Sequence, residues 1–476
     1  MRLTQRCNQG LSQALYTALR GWIQAGDLRA GEALPSSRRL AYTLAIGRNT
    51  ALAALERLVA EDLVVARPGA GLFVALVELP EAAEPVSAPP GKTKLSHRGE
   101  RLLDFCATSD VGPHAFTPGI PALDLFPRQQ WQRLLRRHQQ RVPERWLGYQ
   151  TDGGLAALKT ALCDYLQLSR AVRCRPEQIL VTQGAQQGFE LIARLMADPG
   201  DSAWIEEPGY AGVQVALTAA GVSLTPVPVD QDGMAPERAP ASAPVPKLIH
   251  VTPSHQYPRG VTLSLARRLA LIALAERSGS WIIEDDYDSE FRYTSPPLAS
   301  LQGLKEHAPV IYVGTFSKVL YPGLRLGYLV LPETLIEPFR RANARLNREG
   351  QYVAQAALAE FIERGHFARH VARMRRVYRA RQAALRQALL PATAQGLALS
   401  EGQAGLHLLA GLESLNMEQA LIRAAGQAGI HLSPLSRCFR GSGPEAGLVL
   451  GYAGSHEREI ARAGAWLVRA WQDLQK

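Results

Sequence analysis

The run Gly314-Thr315-Phe316-Ser317-Lys318-Val319-Leu320-Tyr321-Pro322-Gly323-Leu324-Arg325-Leu326-Gly327-Tyr328 decides how the chain reads. It follows Val310-Ile311-Tyr312-Val313, an apolar segment with the length of a buried strand, and sets one lysine among hydroxyls with an arginine further on. A cofactor carrying both an aldehyde and a phosphate needs this set: an amine for covalent attachment, and a cation with hydroxyl donors for the dianion. Lys318 suits the first role, and Thr315, Ser317 and Arg325 suit the second. Pyridoxal 5'-phosphate (PLP) is the cofactor that the spacing points to.

PLP also needs an acid at its pyridine nitrogen, a donor at its phenolic oxygen, a stacking ring, and backbone amides around its phosphate. Each has a candidate at the end of a strand-length apolar segment. Trp281-Ile282-Ile283 leads into Glu284-Asp285-Asp286-Tyr287, where Asp285 is the choice for the ring nitrogen. Tyr287, two residues on, returns to the same side of an extended chain and reaches the phenolic oxygen. Ile179-Leu180-Val181 leads into Gly184-Ala185-Gln186-Gln187, a helix start whose amides face an anion. Tyr210, after Glu206-Glu207-Pro208-Gly209, can stack on the ring, and His255 or Gln256 is the polar group nearest the phenolic oxygen. Singly, each reads as well as a solvated lysine, a strand-end cap or an ordinary helix start. Their shared place at strand ends carries the assignment.

Around these motifs apolar strands alternate with helical stretches, including Ser202-Ala203-Trp204-Ile205 and Leu248-Ile249-His250-Val251. Such runs are expected of parallel strands covered by helices on both faces, which makes this an α/β domain. A long basic helical stretch runs from Arg364 to Leu390. Strands over Leu406 to Leu412 and Leu448 to Tyr452 then predict a smaller C-terminal subdomain.

The N-terminal part is different. Leu11, Leu15, Ala18, Leu19, Trp22 and Ile23 recur at helical spacing, Pro35-Ser36-Ser37-Arg38 opens a second helix, and Gly47 turns into a third carrying Arg48, Asn49 and Thr50. Two β-prone runs joined by Pro68-Gly69-Ala70-Gly71 then predict a hairpin wing. In such a winged helix-turn-helix, Arg48, Asn49 and Thr50 meet base edges in the major groove. Ser36, Ser37 and Arg38 grip phosphates, while Arg67 and Gly69 at the wing follow the minor groove. The partner this predicts is a double-stranded DNA operator. Prolines at 80, 85, 89 and 90 mark a linker over residues 76–100, so the domains are 1–75, 76–100 and 101–476.

Composition is compatible with this. The 476 residues are 46% hydrophobic, enough for several cores, and the net charge of +10 favours a polyanionic partner. No stretch has the length of a membrane span or the pattern of a secretory signal, so a cytoplasmic protein with no membrane partner is expected. Five scattered cysteines without a CxxC pair predict free thiols and no metal site.

Residues 11 to 75 resemble the GntR-type winged helix, through Ala30-Gly31-Glu32-Ala33-Leu34-Pro35-Ser36-Ser37-Arg38, Gly47-Arg48-Asn49-Thr50, Glu61-Asp62-Leu63 and Arg67-Pro68-Gly69-Ala70-Gly71. From about Thr117 onward the chain resembles fold-type I, class I aminotransferases, beginning with Gly119-Ile120-Pro121-Ala122-Leu123-Asp124-Leu125-Phe126-Pro127 and Gly148-Tyr149-Gln150. Together the halves look like the MocR/GabR family of PLP-dependent transcription regulators, which His255-Gln256 and the run from Glu284 to Tyr293 match especially well. The resemblance implies a homodimer, with Tyr149 reaching the phosphate held by the neighbouring subunit. It also implies an aminotransferase-like domain used to sense an amino compound or PLP itself, with transamination weak or absent. The alternatives are a true aminotransferase with a vestigial head, and a GntR regulator that holds no cofactor. Two departures stand out: Leu52 occupies a position where some relatives carry arginine, and Val449 stands where class I aminotransferases place an arginine for the substrate carboxylate. Arg437, on another loop, is either a substitute for that charge or a solvated surface residue.

Overall fold

A computed structural model describes residues 10–75, 95–103, 114–293, 298–441 and 443–475. The chain divides into two compact units, Met1–Lys94 and Leu95–Lys476.

In the first unit, α1 (Leu11–Gln24), α2 (Ser37–Leu44) and α3 (Arg48–Ala60) precede a hairpin of β1 (Val64–Arg67) and β2 (Gly71–Val74). Leu15, Leu19 and Ile23 of α1 meet Leu40 of α2 and Ala51, Leu55 and Leu58 of α3 in one core, which Val64 and Val74 close from the wing. Ser36 caps α2 by accepting a hydrogen bond from the Arg39 amide at 3.3 Å, as its sequence position predicts. Tyr16 donates to Glu61 at 2.5 Å while Arg57 lies 3.9 Å over the Tyr16 ring, tying α1 to the end of α3. The Tyr16 hydroxyl and the neighbouring arginines hold the Glu61 carboxyl below its ordinary value.

Of the segment read as a linker, residues 76–94 lie outside the described residues. Its end is helical, because α4 spans His97–Leu103. The second unit continues with α5 (Arg128–Gln139), α6 (Ala156–Arg170), β3 (Ile179–Thr182), α7 (Ala185–Met196), β4 (Ser202–Glu207), α8 (Ala211–Ala219), β5 (Ser223–Asp230), β6 (Gly233–Met234) and β7 (Leu248–Val251). Next come α9 (Leu265–Ser278), β8 (Trp281–Asp286), α10 (Leu301–Leu304), β9 (Val310–Thr315) and β10 (Gly327–Val330). These strands form one sheet in the order β3-β10-β9-β8-β7-β4-β5-β6. The run from β9 to β5 is parallel, while β10 is antiparallel to both its neighbours. Adjacent residues go to opposite faces: Ile283 and Ile311 pack with Phe189 and Leu217 from α7 and α8, whereas Ile282 and Val310 pack with Leu271 and Ile272 from α9. Two-sided burial explains the continuous apolar runs in the sequence.

Two expectations about the sheet change. The strand at Ile179 joins the parallel set only through antiparallel β10. The strand β5 went unread because Pro226 and Pro228 interrupt it. The Pro228 carbonyl accepts from Ala235 on the outer side at 2.9 Å, so the prolines cost the sheet no donor on the β4 side.

The small subdomain adds α11 (Ile336–Leu346), α12 (Tyr352–Glu363), α13 (His366–Thr393), β11 (Ala398–Leu399), β12 (His407–Gly411), α14 (Leu415–Gln427), β13 (Ser433–Pro434), β14 (Gly447–Gly451) and α15 (Glu457–Leu474). Its four strands are ordered β11-β12-β14-β13. In the large part of this unit a buried ion pair ties α6 to the end of β8: Arg170, ending α6, gives Nε to Asp286 at 3.1 Å and to Ser289 Oγ at 2.7 Å. Removing one partner of such a pair strands the other charge, so Arg170→Met should destabilise the second unit by about 3–5 kcal/mol. Urea unfolding of the full chain measures it, and a loss below about 1 kcal/mol would mean that Asp286 keeps its charge balanced without Arg170.

Candidate functional site

Strand order reverses between β4 and β7: the chain passes from β4 outward to β5, then returns to β7 and proceeds through β8 to β9. Loops leaving the carboxyl ends of these strands diverge there and leave a crevice. It holds a cavity of about 240 Å³. Lys318 follows β9, Asp285 lies in the last turn of chain of β8, Tyr210 follows β4, and Ala185 and Gln186 open α7; all four places contribute to one wall.

Lys318 is half-buried, and the partial loss of solvent penalises its ammonium form and lowers its pKa, although Asp288 and Asp285 oppose the shift. A lysine held this way presents a neutral amine more readily at ordinary pH. Gly119 makes room for it: with φ at +74°, a Cβ there would lie 2.8 Å from Lys318 Nζ. Asp285 lines the cavity, and its ion-pair partner His250 Nε2 is 3.5 Å away. Burial raises the Asp285 pKa and the His250 interaction counters it. A protonated ring nitrogen brought to this carboxylate would relieve that burial cost. At the other end, Arg325 stands 3.5 Å from where a Gly184 Cβ would project, so the glycine, with φ at +87°, leaves space between the guanidinium and the amides of α7. Thr315 Oγ1 donates to Ser317 Oγ at 3.1 Å beside it. Helix amides, an arginine and two hydroxyls make a dianion pocket. The residues therefore fit PLP at both of its handles.

Of the residues singled out from sequence, Lys318, Asp285, Tyr287, Tyr210, Ala185, Gln186, Thr315, Ser317 and Arg325 line this cavity, with Gly184 behind Arg325. Three do not. His255 stands behind Tyr287, its Nδ1 3.0 Å from both the Tyr287 hydroxyl and Asp288 Oδ2. The Gln256 amide is spent on Glu206 at 3.2 Å and on the carbonyls of Pro208 and Tyr257 at 2.8 and 2.7 Å, so of these two it is His255 that touches Tyr287. Tyr149 is 82% exposed, away from this chain's cavity, with the Arg348 guanidinium 4.9 Å over its ring. Arg437 is exposed and does not line the cavity, while Val449 is enclosed in β14 opposite Leu409 and Ser433.

Sequence reasoning missed Asp288, Tyr257, Leu406 and His407, all on the wall. Alternation would turn Asp288 away from the cavity with Asp286, and only the bend after β8 brings it to the wall. His407 had no local signal, because it arrives from the small subdomain. Its Nε2 is 3.0 Å from the Pro258 carbonyl, and burial pushes its pKa down to about 3, so the ring is neutral.

In the first unit, Arg48 and Asn49 are exposed at the N-terminal end of α3, with Thr50 half-buried beside them. Leu52, 40% exposed, continues the same helix surface. Ser36, Ser37 and Arg38 gather at the start of α2. At the wing, Gly69 adopts φ +75°, which the tight turn requires. The Arg67 guanidinium lies 4.4 Å over the Phe73 ring, a stacking that holds it at the hairpin.

The profile of the class I and II aminotransferases matches residues 124–447, and that of the bacterial regulatory proteins of the gntR family matches residues 11–74. Over 447 residues the chain is 40% identical to the probable rhizopine catabolism regulatory protein MocR of Rhizobium meliloti, covering 93% of this chain and 90% of that protein. It is 30% identical over 457 residues to the HTH-type pyridoxine biosynthesis transcriptional regulator PdxR of Corynebacterium glutamicum, covering 94% of this chain and 93% of that one. Among solved structures, the α-aminoadipate aminotransferase LysN of Thermus thermophilus, complexed with N-(5'-phosphopyridoxyl)-L-leucine, matches with a TM-score of 0.69 and 26% identity. That match covers 80% of this chain and 95% of the enzyme.

The exposed tip of α3 and the capped start of α2 are expected to make two different kinds of DNA contact. Arg48→Ala should cost about 1–3 kcal/mol of discrimination between an operator and scrambled DNA, whereas Arg38→Ala should weaken both alike and flatten the salt dependence. Titrations of the full chain on both DNAs at two salt concentrations measure this, and equal losses for Arg48→Ala would remove it from base reading.

Proposed function

The chain belongs to the MocR-type family of transcription regulators, a GntR-type winged helix fused to a class I and II aminotransferase-like domain, and from that membership we propose that it holds PLP in the crevice and couples ligand binding there to its grip on an operator. The observation that carries this reading is the convergence on one cavity of Lys318, Asp285 and Arg325, an amine, a carboxyl for a ring nitrogen and a cation for a phosphate. Bound there, PLP supplies an aldehyde that captures primary amines reversibly. Asp285 would hold the ring nitrogen, Tyr287, backed by His255, the phenolic oxygen, and Tyr210 the ring face. Arg325, Ser317, Thr315 and the amides of Ala185 and Gln186 would hold the phosphate.

The regulator reading is favoured over a working aminotransferase by two observations. The named regulators match the chain through its winged helix, and the cavity wall carries no arginine beyond Arg325 among the described residues. The effector is an amine-bearing small molecule or PLP itself. We also read the protein as a cytoplasmic homodimer: Leu147 and Tyr149 are exposed close together in sequence, and a two-fold regulator suits an operator of two half-sites. DNA and effector must then alter each other's affinity by the same factor.

Borohydride treatment of the purified yellow protein should fix the cofactor to Lys318, located by peptide mapping, and Lys318→Ala should lose the visible absorbance. Label on another lysine would refute the assignment. Conversion of amino donor and keto acid over many cycles at ordinary enzyme rates would instead favour the aminotransferase reading.

A further inference from the structure

The cavity's charges are unequally distributed. Its two described cations are already committed, Arg325 to the anion corner beside Gly184 and Lys318 to the attachment point beside Gly119. The wall that remains for the body of a ligand is made by Pro118, Tyr257, Asp288, Leu406 and His407. None of these brings a positive charge. His407 is neutral, and with Nε2 directed to the Pro258 carbonyl its Nδ1 is left as an acceptor. Asp288 is 1% exposed, and its Oδ1 has no hydrogen-bond partner while Oδ2 faces His255. A buried carboxylate oxygen without a donor favours a ligand that brings an O–H or N–H and opposes one that brings a second carboxylate. The last strand offers no remedy, since Val449 and its neighbours from Gly447 to Gly451 are all buried in the small sheet.

We propose that the ligand taken by this cavity is an amine with an uncharged, hydroxyl-bearing body, of the amino-alcohol or amino-polyol class, and not an amino acid. Its hydroxyls donate to Asp288 Oδ1 and to the His407 ring, and its apolar carbons lie against Leu406 and Tyr257. An amino acid would bury its carboxylate beside Asp288, where on the described wall Lys318 already answers Asp288 and Asp285 and Arg325 is committed to the anion corner, a cost that a hydroxyl in the same place does not meet. This deepens the PLP-dependent reading above and rests on it.

Matched pairs isolate the one group in question. 2-Amino-1,3-propanediol differs from L-serine, and 4-aminobutanol from 4-aminobutanoate, by a hydroxymethyl group in place of a carboxylate. The PLP-loaded full chain is titrated with each, reading the visible absorbance for occupancy and the affinity for a library-selected operator as a second signal. Both alcohols should bind at least about tenfold more tightly than their carboxylate partners, as expected where a polar wall accepts one group and rejects its replacement. Asp288→Asn should shrink that ratio, with circular dichroism and retained PLP absorbance showing that the variant folds. Tighter binding of the amino acids overturns the proposal and locates a carboxylate-binding cation outside the described wall. An unchanged ratio in a folded Asp288→Asn removes Asp288 as its cause and overturns the argument made here. Absorbance that responds to neither class overturns the proposal together with amine sensing. Absence of visible absorbance before any ligand is added would instead sink the PLP reading itself.

Discussion

Four acidic residues crowd the end of β8 and its exit, and the arrangement of their counter-charges organises the second unit. Glu284, Asp285, Asp286 and Asp288 are all buried, where an uncompensated carboxylate is among the costliest groups a fold can hold. Each is answered from a different direction. Glu284 accepts the amides of Leu301 and Gln302 at 2.7 and 3.0 Å, and burial still pushes it up to about 7. Asp286 draws in Arg170 from α6, Asp285 faces His250 on β7, and Asp288 holds His255 from the loop after β7. Satisfying them requires α6, α10, β7 and the β7 exit to meet at one strand end, which is also where the cavity opens.

Alternation along the strand then separates structural acids from those available to a ligand. Asp285 and Tyr287 line the cavity, while Asp286 turns toward Arg170 and Tyr312. Asp288 departs from strict alternation because β8 ends at Asp286 and the chain bends, so it reaches the cavity as well. That bend brings a second carboxylate into the cavity with Lys318, and Asp288 and Asp285 both favour the lysine's charged form against desolvation.

Much of this was legible in the sequence, for a physical reason. Lys318, Asp285, Tyr287, Ala185 and Arg325 lie at the ends of strands whose two-sided burial forces unmistakable apolar runs, so their place in the crevice follows from topology. The winged helix was legible because capping by Ser36 and the turn before Arg48 leave local chemical marks. What local pattern does not record is contact between distant segments. His407 comes from the small subdomain, Gly119 from the entry to the large one, and Gln256 looked like a cofactor donor until its amide was found committed to Glu206 and Pro208. Likewise β5 hid behind its prolines, which are tolerated because they face the outer side, away from β4.

The same wall bears on why a cofactor site of this kind would serve sensing better than turnover. Repeated proton movement at the carbon next to the amine needs that carbon held in one orientation, and a carboxylate gripped by a fixed guanidinium supplies such an anchor at low conformational cost. Here Val449, which stands where the resemblance to class I aminotransferases places that anchor, is enclosed in β14, and the groups on the described wall, Asp288 and His407, offer acceptors suited to hydroxyls. Hydroxyl contacts fix a ligand's identity more readily than the direction of one of its bonds, because each hydroxyl rotates to meet its acceptor. Capture at Lys318 needs only a neutral amine and room beside Gly119. Selective binding is therefore well provided for by this chain's residues, while the alignment that fast transamination requires has lost its usual charge, which is the balance expected of a domain retained to report a ligand to DNA.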